Sequence, residues 1–128
     1  MKIKNLYLAM AVSTTLAACS GYGMRAASPA MFSGDMLTGS NGMTLYVFDK
    51  DAAGSGRSMC NGPCATNWPP LFAMADDTAS GDYSIVNRDD GKKQWAFKGK
   101  PLYYWSKDVK AGDKTGDGFN NVWHVAKP

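Results

Sequence analysis

The feature that most constrains the fold of this chain is an internal repeat. Gly42-Met43-Thr44-Leu45-Tyr46-Val47-Phe48-Asp49-Lys50-Asp51 aligns with Gly99-Lys100-Pro101-Leu102-Tyr103-Tyr104-Trp105-Ser106-Lys107-Asp108 in the shared pattern G-x-x-L-Y-x-[FW]-x-K-D. Each copy is followed by a Gly-rich loop and then a tryptophan, Trp68 and Trp123. A unit of about 50 residues cannot bury its apolar face alone. Two such units must therefore pack against each other with approximate twofold symmetry and share one core. In each copy the aromatics at i and i+2 (Tyr46 and Phe48; Tyr103 and Trp105) fall on one face of a strand, and Leu45/Val47 and Leu102/Tyr104 on the other. A strand apolar on both faces belongs in the middle of the fold.

Composition supports a mainly β chain. All 11 acidic residues are Asp, and there are 14 Gly and six Pro. Asp, Gly and Pro favour turns, whereas Glu, a good helix former, is absent. Four Trp, six Tyr and five Phe supply strand formers and core volume. The expected architecture is a single small domain of two pseudo-repeated antiparallel β-units, about 35–71 and 83–125, sharing one aromatic-rich core. The spacing predicts a hairpin from Asp35-Met36-Leu37 through Gly39-Ser40-Asn41-Gly42 into Thr44–Phe48. A second hairpin runs from Tyr83–Val86 through Asp89-Asp90-Gly91 into Gln94–Phe97. A turn at Gly99-Lys100-Pro101 leads to a strand over Leu102–Trp105, and Asn121–Val125 forms the last strand.

The N-terminus reads as an export signal. Lys2 and Lys4 precede an apolar stretch, Leu6 to Leu16, of roughly 11 residues, too short to span a bilayer. It ends in Leu16-Ala17-Ala18-Cys19, which resembles the lipobox of bacterial lipoproteins. That resemblance implies a diacylglyceryl group on Cys19, a signal peptide over residues 1–18 and anchoring of the mature protein in a membrane. Ser20 after the cysteine resembles the sorting pattern of outer-membrane lipoproteins in Gram-negative bacteria. Residues 19–33 read as the lipidated cysteine and a flexible tether, with an end-to-end distance on the order of 20 Å. The β domain is expected over 34–128. Discarding the signal removes two of the 14 basic residues, so 12 remain against 11 acidic. No basic patch survives to suggest nucleic acid.

The two Y-x-[FWY]-x-x-D motifs, Tyr46/Phe48/Asp51 and Tyr103/Trp105/Asp108, resemble those of the bacterial secreted-repeat lipoproteins, a family named for that motif. The segments CNGPCATNWPPL, DDGKKQWAFKGKPLYYWSKD and GDGFNNVWHVAKP fit the same pattern, so the resemblance spans residues 35–128. It implies a place outside the cytoplasm and no particular activity.

Few residues offer chemistry. In an exported protein, Cys60 and Cys64 are expected to form a disulfide, with Gly62 and Pro63 favouring a turn between them. Closing so short a loop contributes roughly 2 kcal/mol. The alternative is a soft-metal site: Met59, Cys60, Cys64 and the single histidine, His124, offer thioether, thiolates and imidazole, a set that suits Cu(I). C-x-x-x-C with a distant His resembles the copper chaperones of the respiratory chain, although no thioredoxin fold is in evidence. Strand alternation puts His124 on the face opposite Trp123 and Val125. Aromatics at i and i+2 would look the same in a platform for a sugar, haem or quinone, but core packing accounts for them. Asp51 and Asp108 are expected to accept backbone N–H groups at the turn after each strand. Residues 113–120 lack the ligand spacing and closing Glu of a Ca²⁺ loop, and turn geometry explains them more simply. With one His, no Glu and no phosphate loop, no residue is assigned a catalytic role and no enzyme is expected. The resulting expectation is a lipid-anchored envelope protein without a cofactor. Its partners would be the membrane, through its lipid, and an envelope protein or small ligand. Copper binding or electron transfer through Met59, Cys60, Cys64 and His124 is the second reading.

Overall fold

The computed structural model describes residues 28–128, and all of it is short strands and turns apart from two small helical segments. The lipobox and Cys19 lie outside the described residues. Strands β1 (Met31–Ser33) and β2 (Met36–Thr38) form a hairpin. Strand β3 (Tyr46–Phe48) pairs antiparallel with the last strand, β8 (Trp123–Val125). The third sheet holds β4 (Phe72–Ala73), β6 (Lys93–Phe97) and β5 (Tyr83–Asn87) in that order, with β7 (Lys100–Pro101) also on β6. A single helical turn, α1 (Pro63–Asn67), and a 3-10 turn (Phe119–Asn121) precede the two repeat tryptophan regions.

The twofold relation is written in the backbone. Tyr46 and Tyr103 form an antiparallel bridge, with Tyr46 N–H donating to the Tyr103 carbonyl at 2.7 Å and Tyr103 N–H returning the bond at 3.0 Å. The other bonds occur in related pairs. Ala126 N–H bonds Leu45 O as Leu71 N–H bonds Leu102 O. Asp49 N–H bonds Val122 O as Ser106 N–H bonds Asn67 O, and Asp51 N–H bonds Phe48 O as Asp108 N–H bonds Trp105 O. Each repeat thus completes the other's ladder, because a two-stranded ribbon by itself is marginal in water.

The side chains follow the same relation. Four rings stack in the order Phe48, Trp123, Trp68, Trp105, with centroid spacings of 4.2, 3.9 and 4.0 Å. The stack alternates between repeats, and Trp68 and Trp123 sit at its centre, parallel to within 3°. Tyr46 meets Trp68 edge to face at 5.3 Å, and Tyr103 meets Trp123 likewise at 5.1 Å. Such pairs add roughly 0.5–1.5 kcal/mol each beyond area burial. The opposite face of the same strands carries a second cluster of Ala30, Leu37, Leu45, Phe97, Leu102 and Ala126. The expected alternation is therefore realised, with the aromatic cluster on one side and this smaller, mostly aliphatic one on the other.

Three expectations need correction. Residues 30–33, read as tether, belong to the folded domain: Ala30 is buried and β1 pairs with β2 around Gly34-Asp35. The hairpin expected between 35–37 and 44–48 forms only near its turn, through the Thr38–Thr44 bridge and the bonds of Gly39 N–H to Met43 O, Gly42 N–H to Gly39 O and Leu45 N–H to Leu37 O. Beyond Leu45 the chain leaves β2, and Tyr46–Phe48 pairs across the pseudo-dyad with β8. Residues 102–105 do not form a regular strand. Tyr103 is instead bridged on both sides, by Tyr46 and by Pro70, and Pro70 has no N–H to extend the ladder. The hairpin of β5 and β6 appears where expected, closed by Arg88 N–H on Lys92 O.

Candidate functional site

The family motif folds into a reciprocal clasp. Tyr46 of the first copy donates its hydroxyl to Asp108 of the second at 2.7 Å, and Tyr103 of the second donates to Asp51 of the first at 2.5 Å. The i and i+5 spacing of Tyr and Asp within one copy thus serves contacts between copies. Both carboxylates also accept a backbone N–H, as expected: Asp51 from Met59 at 2.7 Å and Asp108 from Thr115 at 3.0 Å. Tyr46, Tyr103 and Trp105 are buried, so these aromatics offer no exposed platform. The two phenols are held well above their ordinary range, by burial first and then by the carboxylate each one meets. Burial likewise raises Asp51, against the opposing pull of Tyr103, the Met59 N–H and Arg88.

This arrangement predicts alkaline instability with a definite sign. Phenols whose folded pKa is raised contribute stability that is complete below about pH 10, the unfolded phenol range, and is lost as pH rises above it. Tyr46 and Tyr103 together should give a slope of about 2.7 kcal/mol per pH unit. Urea titrations between pH 9 and 11 would show it, and a Tyr46→Phe/Tyr103→Phe protein should lack that component.

Next to Asp51 lies a buried polar network that sequence reasoning missed. The Arg88 side chain is fully buried, and its Nη1 donates to Ser58 Oγ at 3.0 Å and Gln94 Oε1 at 2.9 Å. Its Nη2 donates to the Cys60 carbonyl at 2.9 Å, and its Nε to Asp90 at 3.0 Å. Ser58 then meets the Tyr103 hydroxyl at 2.7 Å, so Arg88 is linked to Asp51 through two hydroxyls. Asp90 is held below its ordinary range by the Lys92 N–H and then by Arg88. The one sequence signal was alternation: Val86 points in, Asn87 out, and Arg88 in.

Cys60 and Cys64 are joined in a disulfide with Cα atoms 5.2 Å apart. The connection is not the plain turn expected from Gly62-Pro63. Pro63 opens a short helix that carries Cys64, because a proline without an N–H suits the first helical position. Cys60 packs in the aromatic cluster, while Met59 is exposed. His124 lies on the other face of β8, where its Nε2 contacts Asp49 at 2.8 Å. The structure therefore brings Cys60 and Cys64 together but leaves His124 apart from them. Among the described residues no group of three or more His, Cys, Asp or Glu side chains is placed to hold a metal ion. In the Asp-rich segment 113–118, Asp113 accepts the Val109 and Lys110 N–H groups, and Asp117 accepts that of Val125.

The face that carries His124 is concave. A groove of about 420 Å³ is lined by Val47, Phe97, Leu102 and Ala126 below and by Lys98, Lys100 and Lys127 at the rim, with His124 and Asp49 at one side. Its edge is the β6–β7 turn, Lys98-Gly99, in which both residues have positive φ. Gly99 is required there, since a Cβ would lie 2.5 Å from the Gly54 nitrogen.

Comparison with known proteins agrees with the twofold architecture. A family model described as a secreted repeat of unknown function matches twice, over residues 32–72 and 84–127. The chain belongs to this family. The two matched segments are the two halves that exchange Tyr–Asp contacts across the pseudo-dyad, and the description is in keeping with a location outside the cytoplasm. No curated protein and no solved structure matches the chain. For this secreted-repeat protein the motif's role is thus read from geometry, where it is the joint between repeats.

Proposed function

We propose that this chain is a lipid-anchored protein of the bacterial envelope, held at the outer membrane through Cys19, whose β domain acts by non-catalytic binding. The observation that carries the binding reading is the division of labour between the two faces. On one face the motif carboxylates and phenols are tied to each other and to backbone groups. On the other, a groove is lined by apolar side chains and by Lys98, Lys100 and Lys127. Anchoring is supported by Leu16-Ala17-Ala18-Cys19 behind a short apolar core, and the outer membrane by Ser20. Two acyl chains would hold the protein stably, each buried CH₂ being worth about 0.8 kcal/mol.

The anchor has a direct test. The wild-type chain should incorporate labelled palmitate and sediment with the outer membrane. The Cys19→Ser chain should take up no label and be lost from the outer membrane, as a soluble or unprocessed protein. Unchanged fractionation of Cys19→Ser would remove the lipid anchor from this reading.

A further inference from the structure

We propose that the groove between β3, β8 and the β6–β7 turn binds a small amphipathic anion: an apolar body carrying one carboxylate or sulfonate head. This rests on the binding reading above and assigns the chemistry of the ligand. Three independent observations lead to it.

The groove is not a by-product of the repeated architecture. The hydrogen-bonded pairs that relate the repeats place Val47 opposite Tyr104 and Ala126 opposite Leu71. The next position is Lys127 in one half and Phe72 in the other. The half with Val47 and Ala126 carries smaller apolar side chains at these positions than the half with Tyr104 and Leu71, and the groove lies on the side of the smaller ones. The Tyr104 ring even demands a glycine, because a Cβ on Gly39 would lie 2.1 Å from its hydroxyl. The two copies of the scaffold therefore differ in side-chain size at equivalent positions on this face.

The charge around the hollow has one sign. Lys98, Lys100 and Lys127 face Asp49 alone, and Asp49 is already engaged by His124 at 2.8 Å. None of the three lysines takes part in a salt bridge among the described residues. Even with a carboxylate at Pro128, the rim keeps an excess of positive charge. Over an apolar floor, where charge pairs are screened less than in open water, such a rim favours an anionic head. A lysine stem is apolar and can cover apolar surface beside its charged head.

Lys98 is held in place at a cost. Its φ is +49°, in the left-handed region that a lysine adopts reluctantly, at a turn position where Asn or Gly would be relaxed. The conformation carries its Nζ to 5.4 Å above the ring of Phe97, on the groove floor. A volume of about 420 Å³ lies low in the range of small-molecule sites, which suits a compact ligand better than a polymer.

The test uses the mature chain without its lipid cysteine, residues 20–128, and a matched pair of fluorescent probes. 1-Anilinonaphthalene-8-sulfonate is an amphipathic anion, and N-phenyl-1-naphthylamine is the same body without the charge. The anion should saturate one site, shift the NMR signals of Val47, Leu102 and Ala126, and bind at least tenfold more tightly than the neutral probe. Its affinity should fall with added salt. Lys98→Asn/Lys100→Gln, in which Asn suits the left-handed turn, should lose at least tenfold in affinity for the anion and none for the neutral probe. Equal affinity for both probes, with groove signals shifting, would overturn the anionic head while leaving a binding domain. If neither probe shifts the groove signals, the site itself is overturned, and the binding reading with it. Lysine-dependent binding to phosphatidylglycerol vesicles, with no saturable probe site, would make this a membrane-facing surface and overturn the small-ligand proposal.

Discussion

Replacing Trp68 by alanine is expected to lower the unfolding free energy by about 3–5 kcal/mol, the range for removing a large aromatic from a core. For a domain of this size the total is about 5–15 kcal/mol, so the variant should be marginal. Trp68 is the right residue for this test because it touches both halves. It stacks on Trp123 at 3.9 Å and Trp105 at 4.0 Å, takes the edges of Tyr46 and Phe119, and is 3% exposed. Three of those partners, Trp123, Trp105 and Phe119, come from the second repeat, so the cavity would open along the joint between the repeats. Gly116 also packs on the ring, where a Cβ would lie 2.7 Å from it, leaving the loop after the second motif unsupported. Chemical denaturation monitored by far-UV circular dichroism would measure the loss. A cost below about 1 kcal/mol, the level of a surface substitution, would mean that the stack does not hold the repeats together.

The second large effect is expected at Arg88. Arg88→Ala should destabilise by about 3–5 kcal/mol, as when one partner of a buried charged network is removed. The reason is the set of acceptors left behind. Gln94 Oε1 loses its donor and the Cys60 carbonyl keeps only a long bond from Ser58 Oγ at 3.4 Å, and each unsatisfied buried group costs roughly 1–3 kcal/mol. Asp51 also loses a favourable charge, which should raise its carboxyl further. Arg88→Met separates these effects from volume, because it fills the space and donates nothing. It should still cost about 2–3 kcal/mol, on the same unsatisfied-acceptor argument. If Arg88→Met were as stable as wild type, the network would be packing alone. Equilibrium denaturation of both variants, with the disulfide intact, makes the comparison.

Much of the architecture was legible in the chain. The repeat of G-x-x-L-Y-x-[FW]-x-K-D required two units around one core, and alternation placed Tyr46 and Tyr103 on one face and Leu45 and Leu102 on the other. These are local properties: period-2 patterning acts within a few residues, and turn chemistry at Asp89-Asp90-Gly91 needs only its neighbours. The Cys60–Cys64 disulfide was legible from two close cysteines in a chain expected to be exported, where thiols so near each other oxidise. Where local signals competed with long-range pairing, the longer range prevailed. Asn41-Gly42 indicated a simple hairpin, but Tyr46–Phe48 pairs with β8, more than 70 residues away.

The candidate site was the least legible part, because nothing in it is local. The groove takes Val47 from one repeat and Phe97, Lys98, Leu102 and His124 from the other, and no spacing rule joins them. Arg88 was hidden differently: an arginine beside Asp89-Asp90-Gly91 reads as a solvated turn until its side chain is seen to run inward. The sequence by itself determined that two β-units share an aromatic core and that Cys60 and Cys64 close a loop. Only the tertiary structure decided that each motif's Tyr grips the other motif's Asp, and that Val47, Lys98, Lys100 and His124 line one groove. The physical reason is that periodicity fixes which face a residue occupies. What that face meets is fixed by contacts across the pseudo-dyad, between residues some 60 positions apart.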